Sequence, residues 1–335
     1  MTLVLKNVRE WSASNGAETT DFLIEDGQIS RKEPEITAPQ DATIIDGKGL
    51  LALPGFVNAH AHIDKSWLHR DWVSNHAEPS TQGCISFERE KRDELNIPST
   101  QVTETVLCQM LAFGTTRIRS HIDVDLGVGL RGLETVAEAV ENLQNAVEVE
   151  VVAFPQDGVI RRLGVRDLLE KAASTGVAHI GGLDPCLNDR DAAGQLDQLF
   201  EIASKYDCGL DIHLHDAGTL GHFEYEMILE RIHAFGRQGK VNIAHGFALS
   251  TVPASRQESL LKELGEAGVL WSTVAPVGSA RLPLQLMKNN SVRLGLVRMA
   301  FGICGRRTVM VICCVWLSSS LVCTDSNAMK NSPTP

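Results

Sequence analysis

The chain has 335 residues, 43% of them hydrophobic and 22% charged, enough to bury one large core with a small accessory domain beside it. A formal charge of -11 and a pI near 5.5 exclude the dense basic surface that a nucleic acid or an anionic membrane needs, so the expected partner is a small molecule. No basic stretch precedes an apolar core in Met1-Thr2-Leu3-Val4-Leu5-Lys6, so no secretory leader is expected, and the cytoplasm is the expected compartment.

The first elements are short alternating runs, Leu3–Val8, Phe22–Gly27 and Ala42–Gly47, each closing on turn residues; they predict strands of a small β domain over residues 1–50. From residue 51 apolar strand candidates alternate with long amphipathic segments, the pattern of repeated βα units. Strands are predicted at Leu51–His62, Thr115–Val124, Val149–Gln156, Ala178–Leu183, Gly209–His215, Val241–His245, Val269–Ala275 and Val292–Leu296. Helices are predicted at Thr103–Phe113, Gly132–Asn145, Val165–Ser174, Ala192–Lys205, Glu224–Phe235 and Ser255–Ala267. Eight strands interleaved with helices predict an α/β fold, a (β/α)8 TIM-type barrel over residues 51–296, with its chemistry at the strands' C-terminal ends.

Polar residues gather at those ends. His60 and His62, in Pro54-Gly55-Phe56-Val57-Asn58-Ala59-His60-Ala61-His62, are two apart on a strand, so both imidazoles share a face and can hold one metal ion between them. Asp211, His213 and His215 share a face in the same way, with Asp216 just past the strand; His245 and His121 end or nearly end two further strands. A lone histidine at a strand end is more often a hydrogen-bonded core residue than a ligand, but six in one barrel point to a metal site. Neutral imidazoles with one carboxylate suit a single divalent metal, zinc or iron, with an open position for a water whose pKa the metal lowers. Asp184 reads as a helix N-cap in preference to a substrate contact, and Lys65 as a solvated lysine.

Over roughly residues 1–296 these motifs resemble the cytosine deaminase branch of the amidohydrolase superfamily, most specifically in the run Pro54 to His62. The resemblance implies His60, His62 and His213 as metal ligands, and His245 as the residue that orients or polarises the attacked centre. It implies Gln156, in Ala153-Phe154-Pro155-Gln156-Asp157, as an amide that reads the edge of the ring, against a plain strand-end cap. Where that family carries a proton-shuttling glutamate three residues past the strand-five histidine, this chain has Asp216, whose side chain reaches about 1.5 Å less far. Strand four offers no lysine for a bridged metal pair, so one metal is expected. The implied reaction is hydrolytic removal of an exocyclic amine from a nitrogen heterocycle, cytosine to uracil and ammonia being the family's own case; aminated triazines and pterins are alternatives. The oligomeric state, including a homo-oligomer, stays open.

The resemblance stops at Val292-Arg293-Leu294-Gly295-Leu296, where a Gly-x-Asp sequence would deliver the last, carboxylate ligand. Residues 297–335 are instead foreign in composition, with Cys304, Cys313, Cys314 and Cys323 crowded together, whereas Cys84, Cys108, Cys186 and Cys208 are scattered like free thiols. Loss of one G from the codons for Leu-Gly-Thr would give Leu296-Val297-Arg298, and reading codons consistent with the tail in the shifted frame restores a family-like continuation, aspartate included. A frameshift after Leu296 is therefore expected. It leaves the barrel's end and the C-terminal half of the β domain missing, activity impaired, and an inactive heterocycle-binding protein or a non-functional product as the alternatives. The apolar run Val309–Cys323 is 15 residues, short of the roughly 20 that span a bilayer, so no membrane anchor is expected.

Overall fold

A computed structural model describes residues 1–11, 18–71, 73–274 and 281–297; the tail from residue 298 lies outside them. The described residues form two compact units, one up to Gly55 and the other from Phe56 on.

In the first unit, β1 (Thr2–Glu10), β2 (Thr20–Glu25), β3 (Gln28–Glu33), β4 (Thr43–Asp46) and β5 (Leu51–Ala52) form a sheet of order β3-β2-β1-β4, with β5 also on β1. The β2–β3 hairpin turns at Asp26 and Gly27, both with positive φ (51° and 78°), as the two-residue turns that match strand twist require. Val4, Leu23 and Ile36 make its small core. Strand β3 escapes the sequence reading because all six of its residues are exposed, so it has no apolar alternation to read. The expected strand Leu51–His62 is in fact two, split by Pro54, which cannot donate to a ladder: β5 pairs with β1, and only Phe56–Ala61 (β6) belongs to the second unit.

The second unit is an eight-stranded parallel sheet curled into a near-barrel. After β6 come β7 (Thr115–Asp123), β8 (Glu148–Phe154), β9 (His179–Leu183), β10 (Gly209–Leu214), β11 (Val241–His245), β12 (Leu270–Thr273) and β13 (Arg293–Leu296), hydrogen-bonded in chain order. Every residue of β10 and β11 is buried, as expected of parallel strands covered on both faces. The register sets Leu210 beside Val241 and His213 beside Ala244. The alternating helices are α1 (Thr81–Arg92), α2 (Thr100–Ala112), α3 (Arg131–Asn142), α4 (Val165–Ser174), α5 (Ala192–Lys205), α6 (Gly218–Ala234), α7 (Ala254–Glu266) and α8 (Leu284–Asn289). The apolar faces of α4 to α8, Leu196, Leu199 and Phe200 of α5 among them, pack on the strands to make the main core, while Val106, Leu107 and Met110 of α2 and Val136 and Ala139 of α3 form a second cluster. Helix α5 starts where Asp191 accepts a bond from Gly194 N at 2.9 Å, an N-cap one turn ahead of the apolar stripe.

Among the described residues β6 and β13 form the two edges of the sheet, with no ladder between them. They still approach: a Cβ placed on Gly295 would lie 3.5 Å from the Ala59 side chain. Helix α1 lies in the long β6–β7 connection and was not foreseen, because its sequence, Thr81-Gln82-Gly83-Cys84-Ile85-Ser86-Phe87-Glu88-Arg89-Glu90-Lys91-Arg92, shows little apolar periodicity. It brings Glu88, Arg89 and Arg92 to the barrel mouth, where a cavity is lined by these, Lys65, Asp123 and Gln156.

Candidate metal centre

Four histidines converge at the C-terminal ends of the strands. His60 comes from the end of β6, His62 from just past it, His121 from the last turn of the pleat in β7, and His213 from β10; all four are buried and their ligand-type nitrogens lie within 4.8 Å of one another. The His60 ring centre is 5.3 Å from that of His62, 4.4 Å from His121, 4.7 Å from His213 and 4.9 Å from His245. Phe154 closes one wall, its ring 4.5 Å from His213 and 5.3 Å from His121.

Burial pushes the His60, His62 and His213 imidazoles well below their ordinary value, and each neighbouring imidazole adds to the shift. They are therefore neutral at pH 7 and able to ligate. Both nitrogens of His60 and of His213, and Nδ1 of His62, are buried without a hydrogen-bond partner among the described residues. A buried imidazole left unpaired is costly unless something else takes its lone pair, and this convergent nitrogen set fits a borderline metal such as zinc or iron.

His245 sits beside the cluster. Burial, reinforced by His215 and His121 and opposed by Asp211, pushes its imidazole down to about 3. Its backbone is held in the left-handed region, φ 67°, a conformation that non-glycine residues adopt only when their surroundings enforce it. Here the surroundings are visible: Trp271 Nε1 donates to His245 O at 2.9 Å, and the Tyr225 hydroxyl donates to Gly246 O at 2.7 Å. His215 stacks on His245 at 4.7 Å between ring centres.

Two residues differ from their sequence-based expectations. Asp184 caps no helix; its carboxylate accepts from His215 N at 2.5 Å and meets His215 Nδ1 at 3.1 Å, so it orients His215. The reason is that β9 runs into an irregular loop, and α5 starts only at Ala192, eight residues past Asp184, with its own cap at Asp191. Lys65 is buried, not solvated: its ammonium lies 3.2 Å from Asp123 and 3.5 Å from Glu88 and also donates to Gln156 Oε1. Burial opposes its charge, but Asp123 and Glu88 outweigh burial and hold its pKa above the ordinary lysine value. Gln156, one residue past Pro155 at the end of β8, thus has Oε1 engaged by Lys65, while its Nε2 donates to Glu88 at 3.2 Å.

Asp216 is buried, and its Oδ2 accepts from Leu187 N at 3.1 Å. It forms a second cluster with Cys186 and Glu224, their ligand-type atoms within 4.8 Å. Glu224, in α6, is fully buried and accepts from Cys186 N at 3.0 Å; burial first, and Asp216 second, push its carboxyl up to about 9. Sequence reasoning missed Glu224 because it began the helix there, whereas α6 starts six residues earlier at Gly218. The sign of its effect on stability follows from that raised value. Below the unfolded value of 4.5 both states hold the proton and Glu224's contribution is present in full; it is lost as pH rises from there towards about 9, because unfolding releases a proton. Glu224→Gln, which keeps an acceptor for Cys186 N, is expected to raise the thermal midpoint at pH 8 by more than at pH 5. Equal shifts at the two pH values would mean that Glu224 is already ionised in the folded chain.

A parallel barrel with imidazoles converging at its strand ends has the donor set of a metal-dependent hydrolase. The comparisons agree with that class. The solved structure of N-isopropylammelide isopropylaminohydrolase from Burkholderia multivorans is 36% identical, with a TM-score of 0.82, over 89% of this chain and 75% of that one. The N-isopropylammelide isopropyl amidohydrolase of Pseudomonas sp. strain ADP is 28% identical over 286 residues, 82% of this chain and 70% of that protein. A pterin deaminase of Rhizobium rhizogenes is 26% identical over 263 residues, 77% of this chain and 58% of that protein. No family model matches the chain. The chain belongs to the amidohydrolase superfamily.

Proposed function

We propose that this chain is built as a hydrolase that removes an exocyclic amine from a small nitrogen heterocycle, working in the cytoplasm with one divalent metal, zinc or iron. The observation that carries the reading is the set of buried, neutral imidazoles of His60, His62 and His213 converging at the barrel mouth. When bound there, a divalent metal supplies Lewis acidity that makes water nucleophilic near neutral pH. The protein's own residues do the rest. His60, His62 and His213 hold the metal; His245, locked by Trp271 and Tyr225, orients the attacked carbon; Asp216 carries a proton towards the leaving nitrogen. Gln156 reads the ring edge, which requires a substrate to compete with Lys65 and Glu88 for its amide. Phe154 excludes water from one side. No helix among the described residues is long and apolar enough to cross a membrane.

The motif resemblance supports cytosine as substrate. A second reading, an N-alkylated amino-oxo-triazine, is supported by the 36% identity to a protein named for that substrate. Amine release from cytosine, N-isopropylammelide and a pterin by the metal-loaded chain with its reading frame restored separates the two. No turnover of any of these counts against the reading. Heterocycle binding by calorimetry without product would favour a binding protein.

A further inference from the structure

We infer that His121 is a fourth nitrogen ligand of the same metal, held in place by Asp211; the inference rests on the proposed metal centre of His60, His62 and His213. Nothing in the motif pattern assigns His121 a role, yet it lies inside the cluster and not at its rim. Its ring centre is 4.4 Å from His60, 4.5 Å from His213 and 5.2 Å from His62. The remaining separations among the four are 4.7, 5.3 and 5.5 Å. Four imidazoles bound tetrahedrally with nitrogens at about 2.0–2.1 Å place their ring centres about 5 Å apart, and all six separations fall around that value. His245 is similarly close to His60 and His213, but its donor atoms do not belong to the group that converges within 4.8 Å.

The outer face of the ring has the support that ligating histidines characteristically have. His121 Nε2 lies 3.1 Å from Asp211 Oδ1, close but not collinear as a full hydrogen bond requires, which leaves Nδ1, buried and unpartnered among the described residues, as the ligating atom. Asp211 is itself fully buried, and Arg119 Nη1 meets its Oδ2 at 3.3 Å; Arg119 is fixed in turn by Glu150 at 2.9 Å. The chain therefore sets a carboxylate behind His121 and a guanidinium behind the carboxylate. Imidazole ligands bring no negative charge to a buried dication, and the Asp211 carboxylate stands one residue further out, behind His121 and outside the coordination shell. Among the described residues no carboxylate joins the cluster directly, so His121 fills the place a fourth protein donor needs.

The test uses the full chain loaded with zinc and, separately, with cobalt(II). X-ray absorption at the zinc edge of the unmodified chain should count four imidazoles; a count of three overturns the inference and leaves the metal centre standing. In chelator competition, His121→Gln should weaken zinc binding by at least about tenfold and Asp211→Asn by about tenfold, with weaker and shifted cobalt bands in the first. Unchanged affinity and unchanged cobalt bands in His121→Gln also overturn it. Thermal unfolding of the metal-free variants controls for folding, and the absorption measurement needs no variant at all. Failure of the unmodified chain to bind zinc stoichiometrically overturns the metal centre and this inference together.

Discussion

His60→Ala is expected to lower zinc affinity by about a hundredfold to a thousandfold. Structural zinc sites bind with about 10–16 kcal/mol, so each of roughly four ligands accounts for about 2.5–4 kcal/mol, and every 1.4 kcal/mol is tenfold. His60 is the choice because its ring lies within 5.3 Å, centre to centre, of four other imidazoles. The metal-free variant should lose less stability than an ordinary large-to-small core change of about 2–5 kcal/mol, since the side chain removed is a buried polar ring with both nitrogens unpaired. The pH dependence has a definite sign. The His60, His62 and His213 pKa values are depressed by burial below the 6.5 of an unfolded imidazole, so below that pH the unfolded chain takes up protons that the folded chain refuses. Metal-free stability should therefore fall as pH drops through about 6.5. Zinc affinity should fall in the same direction, because protons compete for the same nitrogens. Chelator competition and thermal unfolding at pH 5.5 and 7.5, with and without zinc, read all three effects. An unmodified chain whose metal-free stability is flat over that range, or a His60→Ala chain that binds zinc as before, would remove His60 from the centre.

The parts of this site that could be read from sequence are those that depend on local period. His60 and His62 are two apart on a strand, and that alone places them on one face; Ala192–Lys205 has both an apolar stripe and a capping aspartate, and the helix has those bounds. The parts that could not be read depend on which strands face each other across the barrel. Asp211 and His213 share a strand face, as expected, but the partner of Asp211 is His121 from β7, three strands away in the sheet order. Lys65 follows the first histidine pair on a polar loop and looks solvated. Its burial is decided by Asp123, Glu88 and Gln156, brought from the next strand, an unforeseen helix and the strand after. Buried charge is tolerated only when paired, and pairing over such separations leaves no trace in a local window.

Restoring the reading frame after Leu296 is expected to raise turnover by at least about a hundredfold, from little or none. A strand-eight carboxylate would serve both as ligand and as base towards the attacking water, and a positioned base is worth about a hundredfold to ten-thousandfold. The present chain brings β13 up to the described end at Val297 with no acidic residue in Val292–Val297, so that role has no holder there. The restored chain should also be more soluble and more resistant to proteolysis. In the present one β6 and β13 are sheet edges without a ladder between them among the described residues, and unpaired edges with apolar faces are sites of association. Amine release, soluble yield and zinc stoichiometry of the two chains side by side decide the matter, and equal turnover with one zinc in each would refute the need for the aspartate. Sequencing the DNA across the codons for Gly295 to Met299 then tells which chain is the natural one. If His121 holds the fourth position in the present chain, the restored carboxylate must share or displace it. The zinc-edge imidazole count should then fall from four towards three as turnover appears, because an ion closed by four protein nitrogens has no open position for water.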